Sequence, residues 1–221
     1  MLPLGDENPR RLTPYVNWLI IGSCFVVFLW QVSGDQRHFI YTLYAYGVVP
    51  ARILAGEGYY ALVTNMFLHG GWTHLLGNVL FLYIFGDNVE DACGHLHYLA
   101  FYITCGLAAS ALWTATAWGG TVPAVGASGA ISGVMGAYFV MFPSARIRTL
   151  VSVGFVWRVM RVPAFMMIGL WFIYQFLLAL VPINTGVAYW AHIGGFAAGI
   201  VISKLFNPMF RQRRLIGQYY G

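Results

Sequence analysis

The sequence ACGHLHYLAFYITCGLAASALWTATAWGGTVPAVGASGAISGVMGAYFVMFPSA, residues 92–145, contains no Asp, Glu, Lys or Arg. A second stretch, residues 162–203, lacks these residue types as well. Across the chain 59% of residues are hydrophobic and 9% are charged, whereas a soluble domain carries about 25% charged residues. So few charges cannot cover a water-facing surface of this size. The composition therefore indicates an integral membrane protein.

The apolar segments predict six transmembrane helices, because a helix needs about 20 residues to cross the hydrocarbon core. The predicted limits are 15–33, 74–90, 95–118, 128–143, 162–182 and 188–206. These helices form one all-α domain, a polytopic six-helix membrane bundle over residues 15–206. The first apolar run is expected to be a retained span, since no small-residue cleavage site follows it.

Basic residues predict the orientation of this bundle. Ten of the 12 Lys and Arg residues would lie on one side, and only Arg37 and Arg52 on the other. Cytoplasmic loops are the ones rich in Lys and Arg. Both termini are therefore expected in the cytoplasm, as a short N-terminal segment (1–14) and a basic tail (207–221). Because the basic residues are divided among short segments, the net charge of +5 predicts membrane topology and no nucleic-acid partner.

The segment 34–73 differs from the predicted spans. It contains several charged residues and many aromatic ones, so it is too polar to cross the bilayer. It is also too long for a simple turn. We expect an interfacial loop with short helices that lie in or near the outer surface of the membrane.

Four polar residues lie inside the predicted spans at one depth. His74 and Asn78 belong to span two, Ser128 to span four and His192 to span six. Each lies near the start of a span that runs from outside to inside, which places all four in the outer half of the membrane. Polar side chains at this depth are costly, so their convergence predicts a functional site.

Each of these residues also has a purely structural interpretation. His74 and Asn78, four residues apart on one helix face, could form interhelical hydrogen bonds. Ser128 follows Gly126 and stands beside small residues that are typical of helix packing. The predicted packing surfaces are two GxxxG pairs, Gly129 with Gly133 and Gly195 with Gly199. Close approach of two glycine faces is also what a Ser–His contact between helices requires.

The acidic residues of the spans lie far from this level. Asp87, Glu90 and Asp91 are at the opposite end of span two. A buried acid that would complete a Ser-His-Asp triad is therefore not expected, and a Ser–His dyad is predicted instead. The three cysteines have the spacing of neither a zinc site nor a disulfide framework, so no metal and no cofactor are expected.

At these residues the chain resembles the rhomboid family of intramembrane serine proteases, over roughly residues 15–206. The similar motifs are Gly126-Ala127-Ser128-Gly129, His192 with Gly195 and Gly199, His74-Leu75-Leu76-Gly77-Asn78, Phe67-Leu68-His69-Gly70-Gly71-Trp72, and Tyr46-Gly47-Val48-Val49-Pro50-Ala51-Arg52. Each motif is weak alone, whereas their order and spacing together are specific.

The resemblance implies a function for each of the four residues. Ser128 would be the nucleophile and His192 the general base, while Asn78 and His74 would help to bind the oxyanion. Substrates would be transmembrane proteins within the lipid bilayer, cut near its outer face. Span five would border the lateral access of the substrate through its aromatic residues, Phe165, Trp171, Phe172, Tyr174 and Phe176.

Two positions depart from the family pattern. Some members carry Trp-Arg in the first loop, where this chain has Tyr60-Ala61. Some members carry an aromatic residue one turn after the serine, stacked on the histidine, and here that residue is Ser132. The orientation of His192 must therefore come from another residue.

Two alternative functions remain open at this point. One is a catalytically inactive rhomboid-like protein that binds membrane proteins. The other is a small channel or transporter with a polar cavity. The compact chain favours a prokaryotic plasma membrane, with the site facing the extracytoplasmic side.

Overall fold

A computed structural model describes residues 1–154, 156–181 and 185–219, which are mostly helical. The elements are β1 (Leu2–Asp6), α1 (Tyr15–Val32), α2 (Gln36–Tyr46), α3 (Pro50–Leu54), α4 (Ala61–Thr64), a 3-10 turn (Asn65–Phe67), α5 (Trp72–Phe81), a π-helical turn (Leu82–Gly86), α6 (Asp87–Cys93), α7 (His95–Thr116), α8 (Ser128–Met141), β2 (Arg146–Val153), β3 (Val156–Pro163), α9 (Ala164–Leu180) and α10 (Tyr189–Tyr219).

Each of the six predicted spans contains helix. Within the described part of the chain, α1 and α7 are each long and apolar enough to cross a membrane, while α8 and α9 are shorter apolar helices. The predicted second span is a composite of α5, the π-helical turn and α6. The last helix, α10, continues through much of the predicted tail to Tyr219.

The π-helical turn widens the second span opposite α1. The Asn17 side chain donates a hydrogen bond to the Leu82 carbonyl oxygen (2.9 Å), and the Tyr98 hydroxyl donates to Asn17 Oδ1 (2.9 Å). A Cβ on Gly86 would overlap the Asn17 side chain, so only glycine fits there. A polar side chain thus supplies a partner for the backbone where the helical pattern is broken.

The carboxylate of Glu90 joins the start of α1 to the end of the second span. It accepts hydrogen bonds from the backbone N–H groups of Val16 (3.0 Å) and Asn17 (2.7 Å) and is fully buried. The first N–H groups of a helix have no partner within that helix, and the helix dipole favours an anion beside them. Glu90 therefore fixes α1 against α6.

The structure is mostly helical, as the predicted all-α class requires, but the connection between α8 and α9 adds a small sheet that was not expected. Strands β2 and β3 form an antiparallel hairpin, and β1 pairs with β2 to give a three-stranded sheet. Ile147 and Val162 pair on a buried face, whereas Arg148 and Arg161 pair on the exposed one. This alternation of basic and β-branched residues is a strand pattern with period two, and the sheet also includes part of the predicted N-terminal segment.

Segment 34–73 contains the short helices that were expected there. After α2, residue Val48 forms two backbone hydrogen bonds with Ala124, each 2.9 Å long. The carbonyl oxygen of Asn65 accepts a hydrogen bond from the Gly126 N–H at 2.9 Å. These contacts hold the chain just before Ser128 in place, while the position of the segment at the membrane surface stays a prediction.

Helix α8 lies at the centre of the bundle against α10. A Cβ on Gly195 would overlap the Gly129 carbonyl oxygen, and a Cβ on Gly199 would overlap that of Gly133. The two helices therefore pack with their backbones in contact. This close packing brings the first turn of α8 beside the first turn of α10, where the polar residues lie.

Candidate active site

Ser128 is the first residue of α8, and the residues before it place the chain against α5. Gly126 has φ +124°, a conformation that favours glycine. A Cβ there would also lie 2.6 Å from His74 Nε2 and 3.5 Å from Asn78 Nδ2. The backbone that leads to Ser128 thus passes directly over His74 and Asn78, which form the polar face of α5.

Ser128 and His192 form a hydrogen bond between α8 and α10. Ser128 Oγ lies 2.8 Å from His192 Nε2, and His192 is only 9% exposed. This is the geometry of a nucleophile and its general base.

The second ring nitrogen of His192 contacts a residue of α9. His192 Nδ1 lies 2.8 Å from Gln175 Oε1, and Gln175 is 7% exposed. A side-chain amide oxygen only accepts hydrogen bonds, so Nδ1 carries the proton and donates it. The Nε2 lone pair then accepts the hydrogen bond from the Ser128 hydroxyl, which is the tautomer that a general base needs.

Gln175 was missed by the sequence reasoning, although a signal for it existed. It is the only side-chain amide in α9, whose other residues are nearly all apolar. A hydrogen-bonding side chain inside such a helix marks a site or a contact between helices.

The aromatic neighbours of His192 do not form a parallel stack on it. The rings of Trp171 and His192 are tilted by 32° with centroids 6.0 Å apart, and Tyr189 meets His192 edge-on at 6.4 Å. Ser132, one turn after Ser128, is fully buried and donates a hydrogen bond to the Ser128 carbonyl oxygen (2.6 Å). Ser132 therefore hydrogen-bonds within α8.

The polar face of α5 provides two hydrogen-bond donors. The Gly70 N–H donates to His74 Nδ1 (3.4 Å), which leaves the proton of the neutral ring on Nε2, the atom nearest Gly126. Asn78 Nδ2 is buried and has no hydrogen-bond partner among the described residues. Both donors can therefore serve a negatively charged oxygen bound in front of Ser128.

All four predicted residues line one cavity of about 860 Å³. It is bordered by the segment 120–125 and by the residues on either side of the start of α10. None of the described residues that line it is Asp, Glu, Lys or Arg. Among the residues that the structure describes, the site thus contains a Ser–His pair and two neutral donors, with no carboxylate beside the histidine.

Of the five aromatic residues assigned to the substrate-access side of α9, Phe165, Tyr174 and Phe176 are exposed, and Trp171 and Phe172 are half-buried. Trp171 and Tyr174 line a second cavity of about 360 Å³, which also contains Ser128 and His192. The exposed side of α9 therefore lies next to the site.

A family model described as "Rhomboid domain" matches residues 56–208. The chain is 32% identical over 133 residues to Rhomboid-like protein 11, chloroplastic, of Arabidopsis thaliana, which covers 58% of this chain and 42% of that protein. It is 31% identical over 142 residues to Rhomboid protease GluP of Bacillus subtilis, which covers 64% of this chain and 27% of that protein. It is 30% identical over 225 aligned positions to Rhomboid protein 1, mitochondrial, of Saccharomyces cerevisiae, which covers 94% of this chain and 58% of that protein.

These relatives bear on the expected localisation. They include a chloroplastic, a mitochondrial and a bacterial protein, so they do not support the expected prokaryotic plasma membrane. The matched region is less than two thirds of the length of each relative. Since the Rhomboid domain covers more than half of the chain, and contains both Ser128 and His192, this chain belongs to the rhomboid family of integral membrane proteins.

Proposed function

We propose that this protein is an intramembrane serine endopeptidase that hydrolyses peptide bonds of transmembrane substrates by a Ser–His dyad. The observation that carries the proposal is the 2.8 Å hydrogen bond between Ser128 Oγ and His192 Nε2, with the opposite ring nitrogen donating to Gln175. A serine becomes nucleophilic when an adjacent base takes its proton.

Acylation would follow from these contacts. Ser128 Oγ attacks the carbonyl carbon of the scissile bond while its proton passes to His192 Nε2. The oxyanion accepts hydrogen bonds from Asn78 Nδ2, His74 Nε2 and the backbone N–H of Ser128. When the intermediate collapses, the C–N bond breaks, and His192 gives its proton to the departing amine.

Deacylation repeats the same steps with water as the nucleophile. His192 Nε2 takes a proton from water, whose oxygen attacks the ester carbon, and then returns that proton to Ser128 Oγ. The products are a carboxylic acid and the free serine. Every proton is thus held by His192 or by a reacting oxygen or nitrogen, without a metal.

The proposed topology has six transmembrane helices with both termini in the cytoplasm. In this arrangement the start of α8 and of α10 lies towards the extracytoplasmic side, so the site faces that side. The substrate would be a transmembrane helix that reaches the cavity past the exposed side of α9. The distribution of basic residues supports this orientation.

The function can be tested in proteoliposomes that contain a pool of single-span membrane proteins. New protein termini are measured by mass spectrometry with wild-type protein and with Ser128→Ala. We expect cleavage within or next to the transmembrane segments, lost in Ser128→Ala. Equal cleavage by both proteins would reject the dyad. A folded wild type that binds single-span proteins without cutting them would favour the inactive rhomboid-like binder, and ion or solute flux that survives Ser128→Ala would favour a channel or transporter.

A further inference from the structure

The ring of His192 requires a partner that sets both its orientation and its tautomer. A neutral imidazole acts as a base through Nε2 only when its proton is on Nδ1. Ser132 is engaged with the Ser128 carbonyl oxygen, and Trp171 is tilted relative to the ring. Neither of these side chains donates to or accepts from Nδ1 in the described structure.

We propose that Gln175 is the positioning residue of His192, which makes the site a Ser–His pair held by a neutral amide. This inference rests on the proposed protease function and adds a residue to it. Gln175 Oε1 lies 2.8 Å from His192 Nδ1, on the side of the ring opposite Ser128. Gln175 is also nine-tenths buried, so water does not compete freely for this hydrogen bond.

An amide suits this environment better than a carboxylate. An ionised acid in the membrane interior is costly to bury, whereas an amide offers a hydrogen-bond acceptor without net charge. The same neutrality has a chemical consequence. A carboxylate stabilises the imidazolium that forms during catalysis, and an amide oxygen does so only through its dipole.

The contact also makes the geometry of the site depend on α9. The glycine contacts between α8 and α10 fix Ser128 and His192 relative to each other. Gln175, in contrast, belongs to α9, whose opposite side is exposed. The titratable side chains that line the cavities around His192 are His74, Tyr174 and Tyr189. Since none of them is a carboxylic acid, a new carboxylate at position 175 would be the only one there among the described residues.

The test uses Gln175→Leu, Gln175→Glu and the control Ile173→Ala, which alters an exposed residue of the same helix. The first readout is ¹⁵N NMR of histidine-labelled protein in lipid, with the His192 signals identified by their loss in His192→Ala. We expect the Nδ1–H tautomer in the wild type, in Ile173→Ala and in Gln175→Glu. Gln175→Leu should lose this tautomer preference.

The second readout is the rate at which a fluorophosphonate labels Ser128 across a range of pH. Loss of the hydrogen bond in Gln175→Leu should lower this rate by about 10- to 100-fold. Gln175→Glu should restore most of the rate and move the acidic limb of the profile to higher pH, because a carboxylate favours the protonated ring. A residue that served only for packing would leave the labelling rate of Gln175→Leu unchanged, because leucine has a similar volume.

Two results would overturn the positioning role: an unchanged tautomer and labelling rate in folded Gln175→Leu, or an acidic limb that does not move in Gln175→Glu. Thermal unfolding of each variant identifies a loss of rate that comes from misfolding. If the wild type is never labelled although the tautomer depends on Gln175, the protease function is rejected and the contact between Gln175 and the ring stands.

Discussion

At the scale of single residues, the candidate site combines a hydrogen-bonded Ser–His pair with two neutral donors on α5. Asn78 Nδ2 is buried without a hydrogen bond among the described residues. A buried donor without a partner costs free energy of folding, so its presence calls for an explanation. His74 presents its Nε2 proton toward the same place. Both observations fit donors that are kept ready for an oxyanion, where they act without reorganisation.

Replacing Asn78 by alanine should therefore reduce turnover rather than abolish it. We expect kcat to fall by about 100-fold, since one of the proposed oxyanion donors is lost while His74 and the Ser128 N–H remain. Cleavage of a fluorogenic transmembrane peptide in detergent would measure kcat and KM separately. A drop confined to KM would instead assign Asn78 to substrate binding. His192→Ala, which removes the proposed base, serves as the reference and is expected to be inactive.

Much of this site followed from the sequence, and one part of it did not. The depth argument selected His74, Asn78, Ser128 and His192 because each is a polar residue at the same end of a parallel set of helices. It did not select Gln175, although α9 runs in the opposite direction and a glutamine near its end falls in the same outer half of the predicted bundle. Placing it beside His192 requires the packing of α9 on α10, which hydropathy does not determine.

At the scale of the elements, the close packing of α8 on α10 fixes the distance between serine and histidine. The GxxxG pairs predicted this contact, since glycine permits backbones to approach closely. The break in the second span was not predicted, because a π-helical turn depends on the side chain of Asn17 from another helix. The hairpin β2–β3 was overlooked although its alternating pattern is visible in the sequence.

Substitution of Gly195 by alanine should disturb this packing, because its Cβ would overlap the Gly129 carbonyl oxygen. Overpacking of this kind costs about 1–3 kcal/mol. The midpoint of thermal unfolding in detergent should fall, and Ser128 should become less reactive as α10 moves away. Gly22→Ala is the matched control, since a Cβ there meets no atom within 4 Å. Equal stability of the two variants would contradict the backbone contact.

At the scale of the whole molecule, the proposed topology has six helices that cross the membrane and both termini in the cytoplasm. The membrane class followed directly from composition. The number of spans is harder to establish from individual helices, because the second span is divided into two short helices around the π-helical turn. Charge distribution is the stronger argument for the topology, since it depends on the connections between spans.

This topology predicts which engineered cysteines a membrane-impermeant maleimide can reach. Cys24, Cys93 and Cys105 are buried and should react little. Gln36→Cys, at the start of α2, should be labelled from outside intact cells, whereas Ser152→Cys, in β2, should react only after the membrane is made permeable. Both positions are exposed in the fold, so burial does not explain a difference. The reverse pattern would invert the proposed orientation.

The most direct test of the central claim is fluorophosphonate labelling of the purified protein in lipid, with the modified residue mapped by mass spectrometry. Wild type, Ser128→Ala and Ser132→Ala are compared. An activated serine paired with His192 predicts modification at Ser128, lost in Ser128→Ala and retained in Ser132→Ala, because Ser132 only donates to the Ser128 carbonyl oxygen. Modification at Ser132, or no modification of a folded wild-type protein, would contradict the proposed dyad.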